Sequence, residues 1–266
     1  MLVDTHCHLD APEFAADLEA VIARSQAARV GMIVMPAVHR ETFDGLRDLA
    51  SRHAGLCYAL GIHPLCVDAS SDDDLVVLRQ AVAASINDPR FVAIGEIGLD
   101  HFVPGLDRER QARFLAAQLR IAREFDLPVL LHVRKAQDVV LKHLRQAAVR
   151  KGIAHAFNGS MQQAQGYIAQ GLCLGFGGAM TWPRALQIRR LASCVADEAY
   201  VLETDAPDIP PVWKAGVRNE PGELNGIARC MGELREQSLD SVLRQSEANA
   251  RRVLPRLAPI VDARKA

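Results

Sequence analysis

Nothing in this chain of 266 residues resembles a membrane span, a nucleotide-phosphate loop or a disulfide framework. The six cysteines, at 7, 57, 66, 173, 194 and 230, are scattered and form no Cys-x-x-Cys pair. They read as reduced, mostly buried thiols of a cytoplasmic protein. No apolar run reaches the length that spans a bilayer, and nothing near Met1 resembles a secretory signal. Neither a Gly-x-Gly-x-x-Gly nor a Walker loop is present, which argues against a nucleotide-binding α/β fold. No low-complexity linker divides the chain. Charge of one sign is missing too: 31 basic against 32 acidic residues leave a formal net charge of −1. A passive nucleic-acid binder that relies on a global basic field is therefore disfavoured. An enzyme that attracts phosphate through bound cations is not.

What is present is a regular alternation. Apolar strand patterns occur at 2–6, 32–36, 56–61, 91–96, 128–133, 153–157, 172–176 and 200–204. Helical periodicity lies between them, at 17–28, 41–53, 72–86, 107–125, 136–148, 161–170, 183–193 and 221–236. Gly31, Gly55, Gly152 and Gly171 stand where helix C-caps are expected. Eight strands, each followed by a helix, imply a parallel sheet covered on both faces. In a chain of this size, 49% hydrophobic, that count favours one closed (β/α)8 TIM-type barrel over an open doubly wound sheet. We expect a single barrel domain over 1–258 and a short tail at 259–266.

The chemistry-bearing residues gather at the carboxyl ends of these strands, where a barrel assembles its active site. The first strand runs into Asp4-Thr5-His6-Cys7-His8, whose alternation puts His6 and His8 on one face. Cys7 then points outward into plain packing. Later strand ends carry His63, Glu96, His132, Arg134, His155, Glu203 and Asp205. Five of the nine histidines fall at such ends. His39, His53 and His143 read as loop or helix-face histidines. Imidazoles with carboxylates suit Zn²⁺, Mn²⁺, Fe²⁺ or Co²⁺, and Mg²⁺ less comfortably. Six candidate ligands exceed the needs of one tetrahedral ion, so two ions are expected. His6, His8 and Asp205 would serve one, His132 and His155 the other, and the two oxygens of Glu96 would bridge them. Two divalent ions against two carboxylates leave a net positive site that attracts a phosphodiester, with a bound hydroxide as nucleophile.

Strand parity adds a supporting layer. Asp4 shares a face with His6, Glu203 with Asp205, and Arg134 with His132. Buried carboxylates need partners, so Asp4 and Glu203 are expected to meet ligand histidines, Arg134 or bound water. Glu203 is either a proton acceptor or an orienting group. Arg134 either grips a substrate phosphate or pairs with a mouth carboxylate. Asp10 and Asp100 read as loop hydrogen-bonders.

The ordered series Asp4-Thr-His-Cys-His-Leu-Asp10, Gly61-Ile-His-Pro64, Gly95-Glu-Ile-Gly-Leu-Asp100, His132-Val-Arg134, His155-Ala-Phe-Asn-Gly-Ser160 and Glu203-Thr-Asp-Ala-Pro207 resembles the TatD family of metal-dependent deoxyribonucleases, in the amidohydrolase superfamily. Gln111, Phe114, Gln118 and Leu127-Pro128 also match. The resemblance implies a TIM-type barrel with ligands at His6, His8, Glu96, His132, His155 and Asp205, and with His63 as a nearby active-site histidine. It implies hydrolysis of DNA phosphodiesters, commonly from the 3′ end, and catalytic roles are expected for Glu96, Glu203 and Asp205. Two departures touch the substrate rim: Lys135 stands where an acidic residue is frequent, and His101 intervenes before the aromatic Phe102. Lys135, Arg184 and Arg218 lie near mouth loops, as backbone-holding cations or as solvated charges.

The expected function is thus a divalent-metal hydrolase acting on single-stranded or frayed DNA ends, with His63 and Arg134 binding substrate. No membrane and no obligate protein partner are expected. The alternative is a hydrolase of a small amide, ester or lactone on the same metal centre. Many such enzymes bridge their ions with a carboxylated lysine, where this chain has Glu96. A barrel that keeps its ions only for structure would not need six ligands at an open mouth.

Overall fold

In a computed structural model, which describes residues 1–265, the chain alternates β1 (Leu2–Asp4), α1 (Leu18–Ala27), β2 (Val30–Pro36), α2 (Phe43–Arg52), β3 (Leu56–Leu60), α3 (Asp72–Ser85), β4 (Phe91–Asp100), α4 (Arg108–Glu124), β5 (Val129–Arg134), α5 (Gln137–Ala147), β6 (Gly152–Ala154), α6 (Met161–Ala169), β7 (Leu172–Phe176), α7 (Leu186–Cys194), β8 (Tyr200–Leu202) and α8 (Leu224–Arg235). The strands pair in sequential order, all parallel. The β8–β1 seam is closed just past the strand ends by Thr5 N–H donating to Leu202 O (3.2 Å), Asp205 N–H to His6 O (2.9 Å) and His8 N–H to Ala206 O (2.8 Å). The fold is the expected TIM-type barrel in one domain. Among the described residues, no helix is long and apolar enough to cross a membrane.

Helix starts follow their capping chemistry. Ser71 with Asp74 and Ser160 with Gln163 form capping boxes on α3 and α6, and the Asp107 carboxylate accepts from Arg110 N–H at α4. The core has two layers. Leu56, Tyr58, Leu131, Leu174, Tyr200 and Leu202 pack outward against the helices. Val3, Val34, Cys57, Ala59, Leu130, Ile153, Cys173 and Val201 fill the barrel interior. This two-residue alternation carries the site, because the next inward positions above Leu130, Ile153 and Val201 are His132, His155 and Glu203.

Three strands stop earlier than the sequence pattern suggests. His6, His155 and Glu203–Asp205 lie beyond the regular pairing of β1, β6 and β8. Ala156 (φ 42°) and Asp205 (φ 56°) take left-handed backbone there, which ends a strand and turns the following side chain. β4 does the opposite and stays paired as far as Asp100.

Two helices lie outside the expected pattern. α9 (Leu239–Val253) is followed by α10 (Ala258–Lys265), which occupies most of the stretch expected as a tail. α9 closes the amino-terminal end of the barrel. Ala250, Val253, Leu254 and Leu257 join the interior cluster, and a fully buried Val or Leu contributes roughly 1.5–3 kcal/mol. Polar anchors fix it: Asn249 Nδ2 donates to Tyr200 O (2.8 Å), Ser246 Oγ accepts from Leu202 N–H (3.0 Å), and Arg256 donates to Phe91, Ile86 and Asp88 carbonyls.

Candidate metal centre

At the carboxyl end of the barrel five imidazoles surround one carboxylate. Glu96 Oε1 lies 2.9 Å from His155 Nε2, 3.1 Å from His132 Nδ1 and 3.3 Å from His63 Nε2. Its Oε2 lies 3.2 Å from His6 Nε2 and 3.4 Å from His8 Nε2. Asp205 Oδ1 stands 3.6 Å from both His6 Nε2 and His8 Nε2. All six expected ligands therefore converge, and the two Glu96 oxygens face different imidazole sets.

The spacing fits divalent cations. His6 Nε2 and His8 Nε2 are 3.3 Å apart, and ligands about 2.0–2.2 Å from a tetrahedral ion lie roughly 3.3–3.6 Å from one another. Donor triads within 4.8 Å are His6–His8–Glu96, His63–Glu96–His132 and His6–His155–Glu203. His6 Nδ1 and His155 Nδ1 are buried without a hydrogen-bond partner. His155 Nδ1 lies 3.8 Å from Glu203 and 3.9 Å from Asp205, too long for direct hydrogen bonds. Nitrogen and carboxylate donors in this number suit ions of the Zn²⁺, Mn²⁺, Fe²⁺ and Co²⁺ class.

His63 differs from the other four histidines. Its Nδ1 accepts from Leu65 N–H at 3.1 Å, so in the neutral ring the proton sits on Nε2, which faces Glu96. Burial lowers the His63 pKa and keeps the ring neutral. This side chain thus turns an N–H donor, rather than a lone pair, toward Glu96 and His132 Nδ1, the latter at 3.1 Å.

The electrostatics are those of a largely buried charge cluster. Burial alone would raise the Glu96 carboxyl; the imidazoles of His63, His155 and His6, with the His132 hydrogen bond, instead hold it well below the usual range. Burial opposes charge on His8 and His155 too, but Glu96 and Asp205 raise them to about 9 and about 10. His6 is held well below its ordinary value by burial and by the neighbouring His155, whose ring stacks on it at 3.9 Å. Burial pushes Asp205 up, and pushes Glu203 up to about 8.

Glu203 accepts from Ala156 N–H through Oε1 at 2.5 Å, while its buried Oε2 has no partner. Beside it is a cavity of about 10 Å³ lined by Ala156, Gly175, Thr204 and Asp205, close to the volume one water needs. Gly175 makes the room: a Cβ there would come within 2.1 Å of Glu203 Oε2.

Asp4 departs from expectation. Its carboxylate accepts from Thr204 Oγ1 (2.5 Å), Thr204 N–H (2.9 Å) and His6 N–H (3.3 Å), not from a ligand ring. The strand ends at Asp4, so parity no longer carries it beneath His6, and it clasps the seam between the first and eighth strands. Cys7 packs outward with Leu9 and Phe14, as expected. Arg218 is not a free mouth cation. Asp17 (2.8 Å) and Glu220 (3.0 Å) neutralise it and Phe14 lies under it. Arg184 is exposed and stacks on Trp182, and Lys135 is exposed.

Asp100 does more than hold its loop. Its Oδ1 accepts from Phe102 N–H (2.8 Å) and Val103 N–H (2.9 Å), and its Oδ2 faces His132 Nε2 at 3.0 Å. Burial opposes its charge, but the His132 bond and those amides hold its carboxyl below the usual range. The contact places the His132 proton on Nε2 and leaves Nδ1 free to coordinate. Gln111, buried, ties the same turn to the loop after β3 through Asp100 N–H (3.0 Å) and Pro64 O (3.3 Å). Asp100→Asn puts an amide N–H₂ or a neutral oxygen opposite His132 and loosens this tautomer. Metal affinity should fall about 10–100-fold, measured by competition with a chromophoric chelator; unchanged affinity would refute the assignment.

The TatD related DNase family model matches residues 3–255. The chain belongs to the TatD family. It is 39% identical over 241 residues to the uncharacterized metal-dependent hydrolase YjjV of Escherichia coli K12, covering 90% of this chain and 92% of that protein. The human protein named deoxyribonuclease TATDN3 is 31% identical, with coverage of 98% and 97%. The crystal structure of E. coli YjjV, a TatD homolog, superposes with a TM-score of 0.92 at 37% identity, covering 96% of this chain and 98% of that one. The metal-dependent hydrolase chemistry of the TatD family is therefore the chemistry of this barrel, and the Glu96 cluster is its candidate centre.

Proposed function

We propose that this TatD-family hydrolase cleaves DNA phosphodiesters, removing nucleotides from the 3′ ends of single-stranded or frayed DNA. The observation that carries the reading is the two-sided placement of Glu96, with each oxygen turned to a different imidazole set. His6, His8 and Asp205 would hold one divalent cation and His132 and His155 a second, with Glu96 between them. Bound there, the cations supply Lewis-acid charge at the phosphate oxygens and a water made acidic enough to attack at neutral pH.

The chain's own groups do the rest. Glu203, buried next to His155 and Asp205, is placed to take up a proton or to orient His155. The Nε2–H of His63, which faces Glu96 and His132, would donate to a phosphate oxygen when metal occupies the lone pairs of those two ligands. Arg134, half-exposed above His132, offers its guanidinium edge to a phosphate. Burial of Glu96, His6 and Asp205 excludes bulk water and strengthens each of these interactions.

A nuclease assay on end-labelled strands, with chelator and then with single divalent ions restored, tests the proposal. Nucleotide release that chelator stops and a restored ion returns is the expected result. Hydrolysis confined to a simple amide, ester or lactone would overturn the DNA reading while leaving the metal centre.

A further inference from the structure

We infer that Phe102 and Arg134 form a stacking platform for the nucleotide that adjoins the bond being cut, the base lying on the Phe102 face opposite Arg134 and its phosphate meeting the Arg134 edge. The inference rests on the DNA-cleaving reading of the mouth and adds a subsite to it. Phe102 is 54% exposed, in a chain whose aromatic residues are mostly buried. The Arg134 guanidinium lies 3.9 Å from the centre of its ring. That contact is a cation–π interaction; it holds the guanidinium over an aromatic surface, with its nitrogen donors available to a phosphate.

The pair is fixed in place. Phe102 N–H and Val103 N–H both bind Asp100, and His101 N–H donates to Arg134 O at 2.8 Å. Among the described residues the one ion pair of Arg134 is a long 3.9 Å contact with that same Asp100, whose other partner is His132. One carboxylate therefore sets the platform at a defined distance from a candidate metal ligand. Exposed Lys135 follows Arg134, with a left-handed backbone (φ 57°) that turns the chain at the rim. A flat aromatic beside exposed cations matches single-stranded nucleic acid, whose bases stack without sequence preference while the backbone meets positive charge.

The test is equilibrium binding of a fluorescein-labelled phosphorothioate oligothymidylate to the metal-loaded enzyme over a range of salt. Phe102→Ala should weaken binding roughly 5- to 150-fold, the range for loss of one stacked base, without changing the slope of log K against log salt. Phe102→Trp should restore it. Arg134→Gln should flatten that slope by about 0.7, as expected for one lost phosphate contact on a single strand. Metal content should stay at the wild-type value in all three, since the Asp100 bonds come from backbone amides and His132. A strand-cutting wild type with Phe102→Ala binding equally well would sink the platform and spare the nuclease reading. A wild type that neither binds nor cuts strands would sink both.

Discussion

Glu96→Gln should lower hydrolysis by about 10³-fold and strip the protein of most of its bound metal, while its far-ultraviolet circular dichroism stays unchanged. The amide keeps the shape of the carboxylate but not its charge. One of its two ends becomes an N–H₂ donor, and that end must meet either His6 and His8 or His155 and His132, since the two oxygens now face these sets at 2.9–3.4 Å. Whichever way it turns, one of the two proposed cations would lose a ligand and both would lose a counter-charge. Metal-derived charge stabilisation is worth several kcal/mol, and about 1.4 kcal/mol is tenfold in rate, which sets the scale. The fold should survive because the barrel interior below the site is packed independently of it. Elemental analysis beside a rate assay checks the result; normal turnover with normal metal would remove Glu96 from the centre.

Glu203→Gln should reduce kcat by about 10²–10⁴-fold, the range for loss of a positioned proton acceptor, with metal content little altered. The variant preserves an oxygen for the Ala156 N–H bond and the fit against Gly175. It removes the ability of the buried second oxygen to carry charge or take a proton. The competing role, orientation of His155 across 3.8 Å, predicts a different pattern: weaker metal affinity by about 10–100-fold and a rate restored by excess metal. Steady-state kinetics at rising metal concentration separate the two, and unchanged kcat and affinity would exclude both.

The convergence of the six candidate ligands was legible because it depends on short-range rules. A two-residue alternation at the end of an apolar run places His132 with Arg134 and Glu203 with Asp205, and the structure keeps both pairs on the inner side of the barrel mouth. The same rule failed for Asp4, where β1 ends and the parity argument ends with it. Asp100 was legible as a loop residue but not as the partner of His132. That contact depends on the register of β4 against β5, which sets Gly98 opposite His132 and Asp100 opposite Arg134; register is a non-local property. The sequence left Arg218 open between a backbone-holding cation and a solvated charge; its pairing with Asp17, 201 residues away, is non-local in the same way. The helical spacing of Val242, Ser246, Asn249 and Val253 in α9 is visible in the chain. Its destination beneath the barrel is a tertiary fact that no local pattern announces.

With α9 stoppering one end and side chains filling the bore, this barrel is a cul-de-sac. A polymer cannot be threaded through it as through a ring or clamp. On the proposed DNA reading, the freed mononucleotide and the shortened strand would withdraw by the opening through which the strand came in, so each would compete with the next substrate for a single doorway. Turnover on long strands should then be paced by departure as much as by bond breaking, and digestion should proceed by repeated encounters rather than by continuous travel along one strand.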